Sequence, residues 1–218
     1  MASADEYLES GTVRRLTLGL LSAQAIVAAI ACWMGQVQRE HLVQGTTLTA
    51  ALADNARQNE IHTLQLLLFI ACAVAILLWI HRSCHNARVR SSSLRCTPGW
   101  SIGWYFVPIA NFWMPYRAMR QIWRSTAEQA GNPTNRAGLL LGAWWTLWIL
   151  RALAALQMQY GNHIGVETLD VMYAINTWNL WLDSLTLLLS IVFIVMVTRL
   201  TRLQIRAFGL PQTVNRGA

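Results

Sequence analysis

Long apolar runs alternate along the chain with short polar stretches that carry arginine. Between Arg15 and Arg39 there is no Asp, Glu, Lys or Arg, and the same holds between Glu60 and Arg82. A helix needs about 20 mainly apolar residues to cross a bilayer. Residues 16–35 and 62–80 are therefore read as the first two spans. Residues 138–157 make a third, interrupted only by Arg151, and residues 176–198 a fourth, interrupted only by Asp183. Each run exceeds the mean helix of a soluble domain, about 11–12 residues. A large soluble helical protein would also need polar faces at helical period, and these runs lack them. The pattern predicts an all-α fold, a polytopic transmembrane helical bundle of four spans. Residues 1–218 then form a single integral membrane domain, with a long polar first loop at 36–60.

Residues 100–116 are uncharged and aromatic, and their length alone would allow a fifth span. Pro98, Pro108 and Pro115 argue against a straight helix, because proline removes a backbone donor and clashes with the preceding turn. Both flanks are rich in arginine, which suits a segment that enters and leaves on one side. The expectation is a re-entrant or interfacial element over 98–124, with a fifth span as the alternative.

Arginine placement sets the orientation. Arg14 and Arg15 precede the first span, and Arg39 and Arg57 lie in the first loop. Between the second and third spans lie Arg82, Arg88, Arg90, Arg95, Arg117, Arg120, Arg124 and Arg136. The loop between the third and fourth spans has none, and Arg199, Arg202, Arg206 and Arg216 follow the fourth. Arginine accumulates on the cytoplasmic side of membrane proteins, so both termini are expected in the cytoplasm. The net charge of +7 comes with 17 arginines and no lysine. Because the arginines flank apolar runs, they read as orientation signals rather than a nucleic-acid surface. Eleven tryptophans fit the same setting, since the indole ring favours the water–lipid boundary. No signal peptide with a small-residue cleavage site is evident. None of the four cysteines falls in an expected outside loop, which speaks against a disulfide framework.

Few residues carry chemistry. Pro115 suits the first turn of a helix. After it, Arg117, Arg120 and Arg124 fall on one helical face, with Tyr116, Met119, Ile122 and Trp123 on the other. An amphipathic helix of this kind lies at a membrane surface. Arg117, Arg120, Arg124 and Trp123 are the candidates for binding anionic lipid or a partner, or for simple anchoring at the interface. Arg151 and Asp183 are the ionised groups inside spans. They stand at similar depth, and a charge at depth needs a partner, so an intramembrane ion pair is expected. A proton or ion relay is the alternative. His81, Cys84, His85 and Cys96 match no compact zinc spacing, and no metal is expected. Gly138 and Gly142 form a small-xxx-small pattern that permits close helix approach. Asn111, between two prolines, is expected to satisfy backbone groups freed at the break. No phosphate loop, nucleophile elbow or HExxH pattern occurs.

Pro98, Gly99, Trp100, Gly103, Trp104, Pro108, Asn111 and Pro115, continuing to Trp123 and Arg124, make a sequence that resembles the signature of a bacterial membrane family, domain of unknown function 4328. Members of that family have an apolar span ending in an arginine-rich stretch before the motif, here 69–80 and 82–95. A Trp-rich span follows it, as at 142–148, and a last span ends in basic residues, as at 197–206. The resemblance covers about residues 60–206. It implies a bacterial cytoplasmic (inner) membrane setting and no enzyme activity or cofactor. The motif residues then have a structural role. The function expected is that of a non-enzymatic inner-membrane protein whose Pro/Trp/Arg-rich element binds anionic membrane lipids, a membrane protein partner or a second copy of the chain. A small channel or transporter subunit is the alternative, because broken helices at membrane depth are tolerated where they line a cavity. A lipid-modifying enzyme would need clustered acid–base groups at one depth, and the sequence offers none.

Overall fold

A computed structural model describes residues 11–45, 47–89, 91, 94–132, 137–161 and 168–209. Among these the fold is all-α, with six helices and no strand. They are α1 (Gly11–Val43), α2 (Leu48–Val89), α3 (Pro98–Gly103), α4 (Met114–Gln129), α5 (Ala137–Gly161) and α6 (Leu169–Ala207). Four of them, α1, α2, α5 and α6, are long and apolar enough to cross a membrane. The chain is a multi-pass membrane protein.

The four expected spans lie inside these helices, but the helices run well past them. α2 has 42 residues, about 63 Å at 1.5 Å per residue, against a hydrocarbon layer of about 30 Å. The expected first loop at 36–60 is therefore corrected. α1 continues to Val43 and α2 starts at Leu48, so that stretch is mostly helix. Its residues are good helix formers such as Gln, Arg, Glu, Ala and Leu, and nothing in them breaks a helix before Gly45. Gly45 has φ 84°, the left-handed region that glycine adopts without strain. Hydropathy marks where the lipid is, not where the helix ends.

Residues 100–116 do not form a crossing helix. They break into α3, two 3-10 turns (Trp104–Phe106 and Ala110–Phe112) and the start of α4.

The chain forms two compact units. The first comprises residues 1–19, 72–145 and 192–218. Its core is closed by the fully buried Trp79, Ile80, Met119, Ile122, Trp144, Met196, Val197 and Leu200. Buried polar groups are tied across helices. Thr17 Oγ1 donates to the Ala75 carbonyl at 3.2 Å, Trp79 Nε1 to Thr201 Oγ1 at 3.4 Å, and Gln204 Nε2 to the Ser83 carbonyl at 2.9 Å. Such bonds are needed where water does not reach the backbone.

The second unit comprises residues 20–71 and 146–191. Here α1 approaches α6 closely at Gly35, and Ala28 and Ala31 of α1 are fully buried. A Cβ on Gly35 would stand 2.8 Å from Leu180 Cδ2. Asn176 Nδ2 donates to the Gly35 carbonyl at 3.0 Å and to Gln38 Oε1 at 2.8 Å. Close backbone approach and interhelical amide bonds are the usual means of joining helices in lipid. In the first unit, the close approach that Gly138 and Gly142 would permit is not used among the described residues, since a Cβ on either would meet nothing within 4 Å. Leu64, Leu66, Leu67, Ile70, Leu150, Leu153, Trp181, Leu188 and Ile191 of the second unit point outward. An apolar surface of that extent belongs in hydrocarbon rather than water.

Candidate functional site

The Pro/Trp/Arg-rich element lies wholly in the first unit, and each of its prolines has a local reason. Pro98 opens α3, where a missing N–H costs nothing, and Thr97 caps the helix by accepting from Trp100 N at 3.3 Å. Val107, just before Pro108, is extended (φ −96°, ψ 108°), as the residue before a proline must be. Pro115 stands in the first turn of α4. Between the prolines the two 3-10 turns expose Phe106, Val107, Ile109, Phe112 and Trp113. This is an apolar tip, with Phe106 and Ile109 each 74% accessible.

A groove of about 270 Å³ lies between α3 and α4 beside the tip, lined by Arg95, Trp100, Trp104, Arg117 and Gln121, among others. Trp100 and Trp104 stack with ring centroids 4.5 Å apart. Gly103 has a physical role here, because a Cβ would press to 3.3 Å from the Trp100 ring. Gly99 is not explained in this way, as a Cβ there meets nothing within 4 Å. Gln121 Oε1 is buried without a partner among the described residues. Two guanidiniums and an indole pair give the groove the means to hold an anionic group on an apolar stem.

α4 is amphipathic as expected, but its apolar face packs on its own chain. Met119 and Ile122 are fully buried, and Trp123 is 6% exposed. Trp123 therefore packs within the first unit and leaves little surface for lipid or a partner on the outer face of α4. The three arginines lie on the exposed face. Only Arg117 reaches the groove, while Arg124 pairs with Glu128 at 2.9 Å. Asn111 does not bond the freed backbone as expected, and its Oδ1 is buried without a partner among the described residues. The free carbonyl at the break, that of Phe112, instead accepts from Trp145 Nε1 at 3.1 Å. Trp145 also lies 6.4 Å from the Tyr116 ring. The sequence shows Trp145 only as part of a Trp-rich span, and nothing in it marks the indole N–H as the group that supports the element.

Arg151 and Asp183 form no direct ion pair among the described residues; each has another contact in the second unit, although Asp183 is close enough for its charge to act on Arg151. Asp183 meets His62 Nε2 at 3.5 Å. Arg151 Nε donates to Thr186 Oγ1 at 2.9 Å and its guanidinium lies 4.4 Å from the Phe69 ring centroid. Thr186 is three residues on from Asp183, so Arg151 docks almost one turn away, on a neutral hydroxyl and an aromatic face. His62 begins the apolar run 62–80, and its sequence position alone gives no sign of Asp183 as a partner.

No cluster of three metal-ligating side chains forms among the described residues, and the cysteines are free thiols. Cys84 Sγ donates to the Cys96 carbonyl at 3.4 Å. When Cys96 ionises, the Cys84 S–H can turn from the Cys96 carbonyl to the Cys96 sulfur; this hydrogen bond holds the Cys96 thiol below its ordinary range, outweighing burial, and Arg88 acts in the same direction. The thiolate is the reactive form. Cys96, on the groove wall, is therefore expected to be alkylated at lower pH than a free thiol. In Cys84→Ala the pH midpoint of its alkylation by a small maleimide, followed by mass spectrometry, moves upward. An unchanged midpoint would discount the Cys84 contact.

The family described as Domain of unknown function (DUF4328) has a profile that matches residues 39–202. The chain belongs to this family. The match takes in α2 to α5 and most of α6, so the groove and the buried Asp183 both lie within the family region. No curated protein and no solved structure matches the chain.

Proposed function

We propose that the protein is a non-enzymatic component of the bacterial inner membrane that binds anionic phospholipid in the groove between α3 and α4. The observation that carries this reading is the groove itself. Arg95 and Arg117 flank stacked indoles beside an exposed apolar tip. Arginine forks bind phosphate in two-point fashion, indoles sit at headgroup level, and the tip has the composition of a segment that enters the acyl region. The arginine distribution supports cytoplasmic termini and hence a groove on the cytoplasmic leaflet, where anionic lipid attracts basic segments.

The test uses the full chain purified in neutral detergent, with native mass spectrometry after addition of phosphatidylglycerol or phosphatidylcholine. The anionic lipid is expected to be retained preferentially. Loss of two charge-assisted contacts in Arg95→Gln/Arg117→Gln should weaken retention at least about tenfold. Arg124→Gln, whose side chain is engaged by Glu128, should change little. Equal retention of both lipids, or no effect of the double substitution, would reject the groove as a lipid site. Orientation is read with the same Cys96 thiol. An impermeant maleimide should reach it in inverted vesicles and not in intact cells, and the reverse would turn the topology over.

A further inference from the structure

A second cavity in the first unit lies apart from the groove and shares no lining residue with it. It measures about 260 Å³ and is walled by Arg199, Arg202 and Arg206 of α6 and by Trp123, Ala127 and Asn132. Positions 199, 202 and 206 are three and four residues apart, so the three guanidiniums project from one helical face. Opposite them Trp123 is held almost fully buried and forms a fixed wall. Among the described residues of this unit Glu128 is the one carboxylate, and Arg124 engages it. No carboxylate among the described residues pairs with Arg199, Arg202 or Arg206. Three like charges around one concavity repel one another, and an anion with several acceptor oxygens relieves that repulsion.

We infer that this cavity binds a phosphate-bearing anion of high charge density, a diphosphate or a phosphate monoester, with Arg199, Arg202 and Arg206 as its ligands. The guanidinium fork matches phosphate oxygens in pairs, and three forks outnumber what a singly charged phosphodiester can use. The volume falls just below the usual range for small-molecule sites, about 300–1,000 Å³. That size suits one or two phosphate groups rather than a whole nucleotide. α6 is an apolar crossing helix that ends at Ala207, so its last turns reach the level of lipid headgroups. The same chemistry is offered by a free diphosphate and by a lipid that carries a phosphate monoester. This site does not depend on the groove reading.

The experiment uses the full chain in neutral detergent at low salt. Inorganic pyrophosphate is titrated calorimetrically, and phosphatidic acid is compared with phosphatidylcholine by native mass spectrometry. One equivalent of pyrophosphate or a preference for phosphatidic acid is expected, weakening as salt is raised. Binding of pyrophosphate identifies a free anion as the source. Preference for phosphatidic acid without pyrophosphate binding identifies a headgroup. Arg202→Gln should weaken binding about tenfold. Arg202→Lys keeps the charge but loses the fork, so its loss should be smaller. The phosphatidic acid comparison is made in the Arg95→Gln/Arg117→Gln variant, where lipid held in the groove does not count, and pyrophosphate binding should be the same in that variant as in wild type. Arg202 is at the surface, so both single variants are expected to fold, which their melting profiles check. Binding of neither probe, or equal binding by wild type and Arg199→Gln/Arg202→Gln/Arg206→Gln, would overturn the assignment.

Discussion

Trp144→Ala is expected to destabilise the protein by about 3 kcal/mol, the lower end of the range for truncating a buried tryptophan. The lower end applies because part of the cost in water-soluble proteins is transfer from water, and in lipid that part shrinks. What remains is lost packing. Trp144 has no exposed surface, meets Phe193 edge-on at 5.5 Å between centroids and lies 5.1 Å from Trp145. Its removal leaves a void lined by aromatic rings, each of which forfeits dispersion contacts. The damage should spread to the Pro/Trp/Arg element, because Trp145 supports the Phe112 carbonyl. Leu139 lies in the same helix but is 87% exposed, so Leu139→Ala should cost less than about 0.5 kcal/mol. Thermal unfolding in detergent, followed by tryptophan fluorescence and by loss of monodisperse protein, reads both. Equal effects of the two substitutions would mean that α5 is not packed through Trp144.

The legible part of this protein was the part that lipid dictates. The scarcity of charge over residues 16–35, 62–80, 138–157 and 176–198, broken only by Arg151 and Asp183, is a requirement of hydrocarbon, and each run lies in a long helix. Pro98, Pro108 and Pro115 likewise foretold breaks, because proline acts through its own backbone. What could not be read depended on neighbours distant in sequence. Trp123 and the arginines alternate as in any amphipathic helix, and periodicity does not say whether the apolar face meets lipid or α6. Gly35 and Gly138 look alike in sequence, yet only Gly35 is pressed by a neighbour. The grouping of Arg199, Arg202 and Arg206 was visible as a basic helix end. Its concavity required α4 to stand opposite it. The groove was half legible, since Trp100, Trp104 and Arg117 lie in the motif, whereas Arg95 and Gln121 join them only through folding.

The buried carboxylate of the second unit should show the other large effect. Asp183→Ala is expected to cost about 3 kcal/mol, the order found when one partner of a buried charged pair is removed. Asp183 is 2% exposed and its carboxylate meets His62 Nε2 at 3.5 Å, the nearest group able to give it a proton or a positive charge. An anion this deep persists only with such a partner. His62→Ala should therefore be costly as well, and the double variant should cost less than the sum, with a coupling of about 1 kcal/mol or more. Arg151 should behave differently. It is held by Thr186 Oγ1 and the Phe69 ring, so Thr186→Val should loosen it without disturbing the Asp183–His62 contact. Coupling between Arg151→Ala and Asp183→Ala should be smaller than that between His62 and Asp183. The charge exchange Arg151→Asp/Asp183→Arg decides between the two arrangements. It should not restore stability, because the exchanged arginine would face His62 and the exchanged aspartate would face Thr186 and an aromatic ring. Recovery to near wild-type melting on exchange would instead mean that Arg151 and Asp183 pair directly in the membrane.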